Sequence, residues 1–286
     1  MDDGNLQVRG SELRLLVLGP SRVGKSSLGN LLLGRQAFDT RGGWGTEAAR
    51  GEASGRCLLL VDTYGWCSWE EEGDKEGDED DGESWEEENE GRKRRRRKVS
   101  KSKKLELLGA LILCDPGPHA LLLVLPLLHF SRRESAALQA RMELLTPRVW
   151  SHTVLVFTLG DKLDPGQGRT FQQYLEGTGE QLHWVLGACR YRCHVVNNKT
   201  AQDRVQVTRL LEKVEDQVQE NGGWHFSLVM SCRMEEEWTC REREAKERRE
   251  REGQEKHQEA SLMDTWLRMD TVSSYSGRLQ PKGSTH

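Results

Sequence analysis

The octet Gly19-Pro20-Ser21-Arg22-Val23-Gly24-Lys25-Ser26 has the spacing G-x-x-x-x-G-K-S, and its chemistry is the capture of phosphate. Glycine lets the backbone fold around an anion, successive N–H groups and a helix N-terminus point at it, and lysine adds a full positive charge. Gly19, Ser21, Arg22, Val23 and Gly24 are therefore candidate nucleotide-binding residues, joined by Lys25, Ser26 and Ser27 at the head of the next helix. Lys25 would reach the β and γ phosphates, and the Ser26 hydroxyl would ligate Mg²⁺. An incidental glycine-rich turn has the same composition. The octet, however, lies between an apolar run and a helical pattern starting near Gly24, which is the context that phosphate binding requires.

Three further clusters fit a nucleotide site. Asp62-Thr63-Tyr64-Gly65 closes an apolar run, where the Asp62 carboxylate can hold Mg²⁺ through water and the Gly65 N–H can meet a γ-phosphate. Alone, D-x-x-G is a common turn; behind a phosphate loop it gains meaning. Thr158-Leu159-Gly160-Asp161 ends another run, and the Asp161 carboxylate can accept from both the N1 and N2 donors of guanine, a pairing that adenine lacks. Asn197 and Asn198, followed by Lys199, come after the last run, where they would close the other side of a base pocket. Each of these two clusters is, by itself, also an ordinary turn.

The elements that must position these residues are legible as a pattern. Apolar runs at 13–18, 57–61, 120–125, 153–157 and 193–196 are interspersed with helical spacing, as in Leu138, Met142 and Leu145 and in Val207, Leu210, Leu211, Val214 and Val218. Continuous apolar strands alternating with amphipathic helices predict an α/β fold of three layers, with a mainly parallel sheet covered on both faces, over 11–223. The 286 residues are 35% hydrophobic and 31% charged, enough for one large domain with segments outside any core. Residues 1–10 read as an N-terminal tail. Residues 69–104, an acidic block followed by a basic one, read as a disordered charged insert. Beyond the helix stop Asn221-Gly222-Gly223, residues 224–286 read as a charge-rich tail, helical or disordered. Its stretch 233–259 has hardly any apolar seam, which favours a solvated helix or disorder over a coiled coil.

The order GPSRVGKSSLGN, LLLVDTYGW, CDPGPHALLLVLPL, VLVFTLGDKL, YRCHVVNNK resembles the immunity-associated (avirulence-induced-gene-type) GTPases over 11–223. The segment from Cys114 to Ala120 is similar to a box specific to that family. The resemblance implies a Ras-like P-loop G domain that binds GTP or GDP with Mg²⁺, reads the base with Thr158 and Asp161, and associates with itself through the G domain. It also implies a switch-one threonine on the Mg²⁺: Thr46 is the candidate and Thr40 the alternative. Tyr64 stands where the family has proline, and Trp66 stands where Ras-like enzymes place the glutamine that orients water. Slow hydrolysis to GDP, dependent on a partner or a dimer, is the expectation. A scaffold that binds nucleotide with little hydrolysis is the alternative, and an ATP-binding P-loop protein is a third reading that Asp161 argues against.

The remaining features are blander. The net charge of −4 sums opposed blocks and so says little about partners. The basic run at 92–98 neutralises the acidic half of the insert, which argues against nucleic acid and leaves a membrane surface or a protein partner open. Seven cysteines without a CxxC pair read as reduced thiols. No basic stretch leads into an apolar leader, and the apolar segment 120–128 is too short for a bilayer. The expected setting is cytoplasmic, with peripheral membrane attachment open. Single histidines read as structural, with a place on the site wall left open for His119 through the family box.

Overall fold

A computed structural model gives the chain as two compact units, 1–231 and 232–286. The structure describes residues 12–254 except 42–44, 67–100, 129, 164–165, 167–169, 201, 235, 238 and 252. The predicted N-terminal tail, residues 69–100 of the predicted insert and the last part of the predicted tail lie outside the described residues. Residues 101–104, which the sequence reading placed in the insert, form the first turn of a helix.

In the first unit the strands are β1 (Leu13–Leu18), β2 (Glu47–Ala53), β3 (Arg56–Asp62), β4 (Ala120–Pro126), β5 (Thr153–Thr158) and β6 (Cys193–Val195). The helices are α1 (Lys25–Leu33), α2 (Lys101–Leu113), α3 (Arg132–Met142), α4 (Phe171–Glu176), α5 (Glu180–Ala188) and α6 (Arg204–Glu220). The described strands form one sheet in the order β2-β3-β1-β4-β5-β6. All pairings are parallel except β2 with β3, which is a hairpin in which Glu47 faces Asp62 across the ladder.

The three layers follow from the strand period. Successive side chains point to opposite faces, so Leu16, Leu18, Leu123, Leu125 and Phe157 enter one core while Leu15, Val17, Leu122, Val124 and Val156 enter the other. The first core is closed by Ala110 of α2, Leu138 and Met142 of α3 and Leu182 and Leu186 of α5. The second is closed by Leu28 and Leu32 of α1 and by Val207, Leu211 and Val214 of α6. Each α6 residue named in the sequence pattern is buried there, as expected for a 3.6-residue period. The α6 end is also pinned to α1: the Arg204 guanidinium donates to the Leu31 and Leu32 carbonyls at 2.5 and 3.1 Å, where a cation complements a helix C-terminus.

The chain beyond 223 still belongs to the first unit for several residues. Phe226 is 1% exposed in the first core, and its N–H donates to the Pro118 carbonyl at 2.8 Å. The described residues of the second unit are helical, and all of them but Cys232 and Cys240 are exposed. No described helix is long and apolar enough to cross a membrane.

Candidate functional site

Parallel strands present their carboxyl ends on one edge of the sheet, and connections leaving that edge converge there. The loops after β1, β3, β4, β5 and β6 enclose a cleft of about 430 Å³. Pro20 to Gly24 and Ser27 form one wall, and Thr158, Leu159, Asp161, Asn198 and Lys199 form the facing one. Trp66, Pro126, Leu128 and Glu134 complete it.

The phosphate loop has the backbone that its glycines permit. Gly19 has φ 153°, and a Cβ there would strike the Val124 carbonyl, so the loop lies directly on β4. Gly24 has φ 95° and caps α1 without a side-chain hydrogen bond, leaving first-turn N–H groups for an outside acceptor. A Cβ at Gly24 would come within 2.9 Å of the Asn198 amide, whose nitrogen donates to the Gly24 carbonyl at 3.4 Å. The Thr158 hydroxyl donates to the Val23 carbonyl at 2.7 Å, fixing the loop to the end of β5.

Beneath the loop the Ser26 hydroxyl donates to one Asp62 carboxylate oxygen at 2.6 Å. The other oxygen is buried without a hydrogen-bond partner. Burial raises the Asp62 pKa above the usual carboxylate range, opposed by the Ser26 bond and the Lys25 charge. The Thr46 hydroxyl is likewise buried and unpartnered, one residue before Glu47, which faces Asp62 in the ladder. Thr40 is exposed. A hydroxyl, an unsatisfied carboxylate oxygen and a second hydroxyl at one strand end are the hard oxygen donors that fit Mg²⁺.

At the other end, Lys199 donates to Asp161 at 2.5 Å and thereby holds the Asp161 carboxyl below its ordinary range. The Asn198 side-chain oxygen is buried and unpartnered. Asn197 does not line the cleft. Its carboxamide oxygen accepts from the Lys199 N–H at 3.0 Å and its own N–H donates to Gln206 at 2.8 Å, so it shapes the turn. Gly19, Lys25, Ser26, Asp62 and Gly65 are likewise not among the residues that line the cleft.

Sequence reasoning missed Pro126, Leu128, Glu134 and the wall position of Trp66, whereas Lys199 lines the cleft beside Asn198, within the cluster expected to close the base pocket. The rule that sites gather at strand carboxyl ends would have found Pro126. The Ser131-x-x-Glu134 capping box was a readable start for α3, and both of its reciprocal bonds are made, at 2.7 and 3.2 Å.

The box from Cys114 to Ala120 lies at the opposite end of β4 from the cleft. His119 accepts from the Arg14 N–H at 3.1 Å, and burial, with Arg14 and two further histidines nearby, pushes its pKa down to about 4. The box is a seat for the chain after α6. Gly117 has no room for a Cβ because the Phe226 carbonyl fills that space.

A family model described as the AIG1 family matches residues 96–246. Immune-associated nucleotide-binding protein 9 of Arabidopsis thaliana is 28% identical over 248 residues, covering 82% of this chain and 64% of that protein. GTPase IMAP family member 8 of Homo sapiens is 28% identical over 221 residues, covering 74% of this chain and 29% of that protein. The chain thus spans less than two thirds of the length of either relative. Among solved structures, a dimerization-deficient mutant of Toc33 from Arabidopsis thaliana superposes with a TM-score of 0.51 at 16% identity, over 74% of this chain and 86% of that one. That likeness speaks to the fold.

Proposed function

The chain belongs to the AIG1 family, and from that premise we propose that its cleft binds guanine nucleotide with Mg²⁺ as a GTP/GDP switch of slow hydrolysis. The observation that carries this reading is that a phosphate loop and Asp161 face each other across one cleft. The loop N–H groups and Lys25 take the phosphates, and Asp161 and Asn198 take the base. Two relatives bear names that include GTPase and nucleotide-binding.

Ser26, Asp62 and Thr46 would hold the Mg²⁺, which when bound neutralises charge on the phosphate oxygens. Asp62 must be ionised for this, and its raised pKa makes metal binding weaken as pH falls through that pKa. The Trp66 side chain offers no acceptor to orient an attacking water, so hydrolysis depends on a residue from a partner or a second copy, in keeping with self-association through the G domain. A scaffold that holds nucleotide without turnover is the second reading. It differs in one measurable quantity, the hydrolysis rate.

Asp161→Ala tests base recognition. Hydrogen bonds to a charged acceptor contribute about 1.5–3 kcal/mol, so the preference for GDP over ADP should fall about 10- to 100-fold in a competition assay with fluorescent nucleotide. A preference unchanged in the variant would remove Asp161 from the base site. The substitution should leave thermal stability nearly intact, because the pair it breaks with Lys199 is mostly solvent-facing on the lysine side, which is 72% exposed.

A further inference from the structure

The segment after β3 does not hang free over the phosphate loop; it is bonded to it. Pro20 and Trp66 form a parallel bridge. The Ser21 N–H donates to the Trp66 carbonyl at 2.8 Å, and the Ser21 hydroxyl donates to the Gly65 carbonyl at 2.7 Å. Both donors belong to the loop whose N–H groups would otherwise turn toward phosphate. Lys25, the residue that serves the β and γ phosphates in such loops, is 6% exposed and lies against Gly65, where a Cβ would strike its ammonium and the Ser21 backbone.

Trp66 anchors the segment. The residue is 7% exposed and belongs to the first core, and its ring has the Arg141 guanidinium 6.0 Å from its centroid. Its indole N–H is buried without a partner, a standing cost that a shift of the ring would relieve. There is room for that shift. A second cavity of about 240 Å³ lies behind the segment, with Thr63, Tyr64, Gly65 and Trp66 in its wall and Leu107 and Met142 across from them.

We propose that Gly65 and Trp66 form a built-in competitor for the terminal phosphate, resting on the guanine-nucleotide reading above. With the segment seated, the cleft takes a nucleoside diphosphate; a triphosphate binds only after the segment lifts from Ser21 and clears the place beside Lys25 that its terminal phosphate needs. The apparent affinity for triphosphate is then the intrinsic one multiplied by the small fraction of chains in the lifted state. Trp66 is the residue that sets this fraction, and the preference it sets is for the length of the phosphate chain rather than for the base.

The test is competition of GDP and a non-hydrolysable GTP analogue against fluorescent GDP with Mg²⁺, on the full chain, its Trp66→Ala variant and its Ser21→Ala variant. Ser21→Ala covers the case in which loss of the buried indole disturbs folding, since it removes one hydroxyl from a loop. The full chain should prefer GDP about 10-fold or more if the lifted fraction is a tenth or less. The ratio of the two affinities should move toward the triphosphate by about 3- to 10-fold in Ser21→Ala, the effect of one hydrogen bond, and further in Trp66→Ala. Equal affinities in the full chain, or a ratio that both substitutions leave unchanged, would overturn the proposal while guanine binding stands. No guanine-nucleotide binding by any of the three proteins would remove the reading beneath it, and the proposal with it.

Discussion

Lys25→Ala should lower guanine-nucleotide affinity about 100-fold or more. A lysine serving two phosphate groups makes charge-assisted contacts, each of about 1.5–3 kcal/mol, and 1.4 kcal/mol is a factor of ten. In the structure Lys25 is 6% exposed and its ammonium donates to the Pro20 carbonyl at 2.8 Å, so the side chain also supports the loop it serves. Lys25→Met separates the two roles by keeping most of the aliphatic stem and removing the charge. Both variants should lose binding in a fluorescence titration. If Lys25→Met kept affinity within about threefold, the loop would not be holding phosphate through this charge.

Phe226→Ala should destabilise the first unit by about 3–5 kcal/mol, the range for truncating a buried phenylalanine. Phe226 is 1% exposed and meets the His152 ring edge-on at 5.7 Å. It is bonded through its N–H to Pro118 and excludes a Cβ from Gly117. Urea unfolding with a stability loss below about 1 kcal/mol would mean that the segment beyond α6 is not part of the core. A loss in the expected range gives the box at 114–120 a physical role: it forms the seat into which Phe226 packs.

That role was invisible in the sequence, because Gly117 and Phe226 are more than one hundred residues apart and no periodicity connects them. The phosphate loop was legible for the opposite reason. Its spacing, its preceding strand and its following helix are all local, so one stretch of chain specifies the geometry. The apolar runs of β1, β3, β4 and β5 are strands mostly buried on both faces, and that of β6 is a half-buried edge strand. The edge strand β2 escaped, since Glu47–Ala53 is largely exposed and carries no apolar alternation. The helix α2 escaped because its first turn, Lys101 to Lys104, continues the basic block in the sequence. At the site, Thr158 and Asn198 come together with Asp161 as their motifs suggested, whereas Asn197 turns into the loop because Gln206 and Lys199 claim it. That Thr46 lies next to the residue facing Asp62 could not be read from the sequence, because it depends on the ladder register that sets Glu47 opposite Asp62.

The central claim is that the cleft is a guanine-nucleotide site, and it is tested most directly by equilibrium binding of fluorescent GDP to the full chain with Mg²⁺, competed by unlabelled GDP and ADP. The account predicts saturable binding that GDP displaces at least about 10-fold more effectively than ADP, as one or more hydrogen bonds from the guanine edge to Asp161 require. Equal displacement by ADP, or no saturable binding at all, would contradict it.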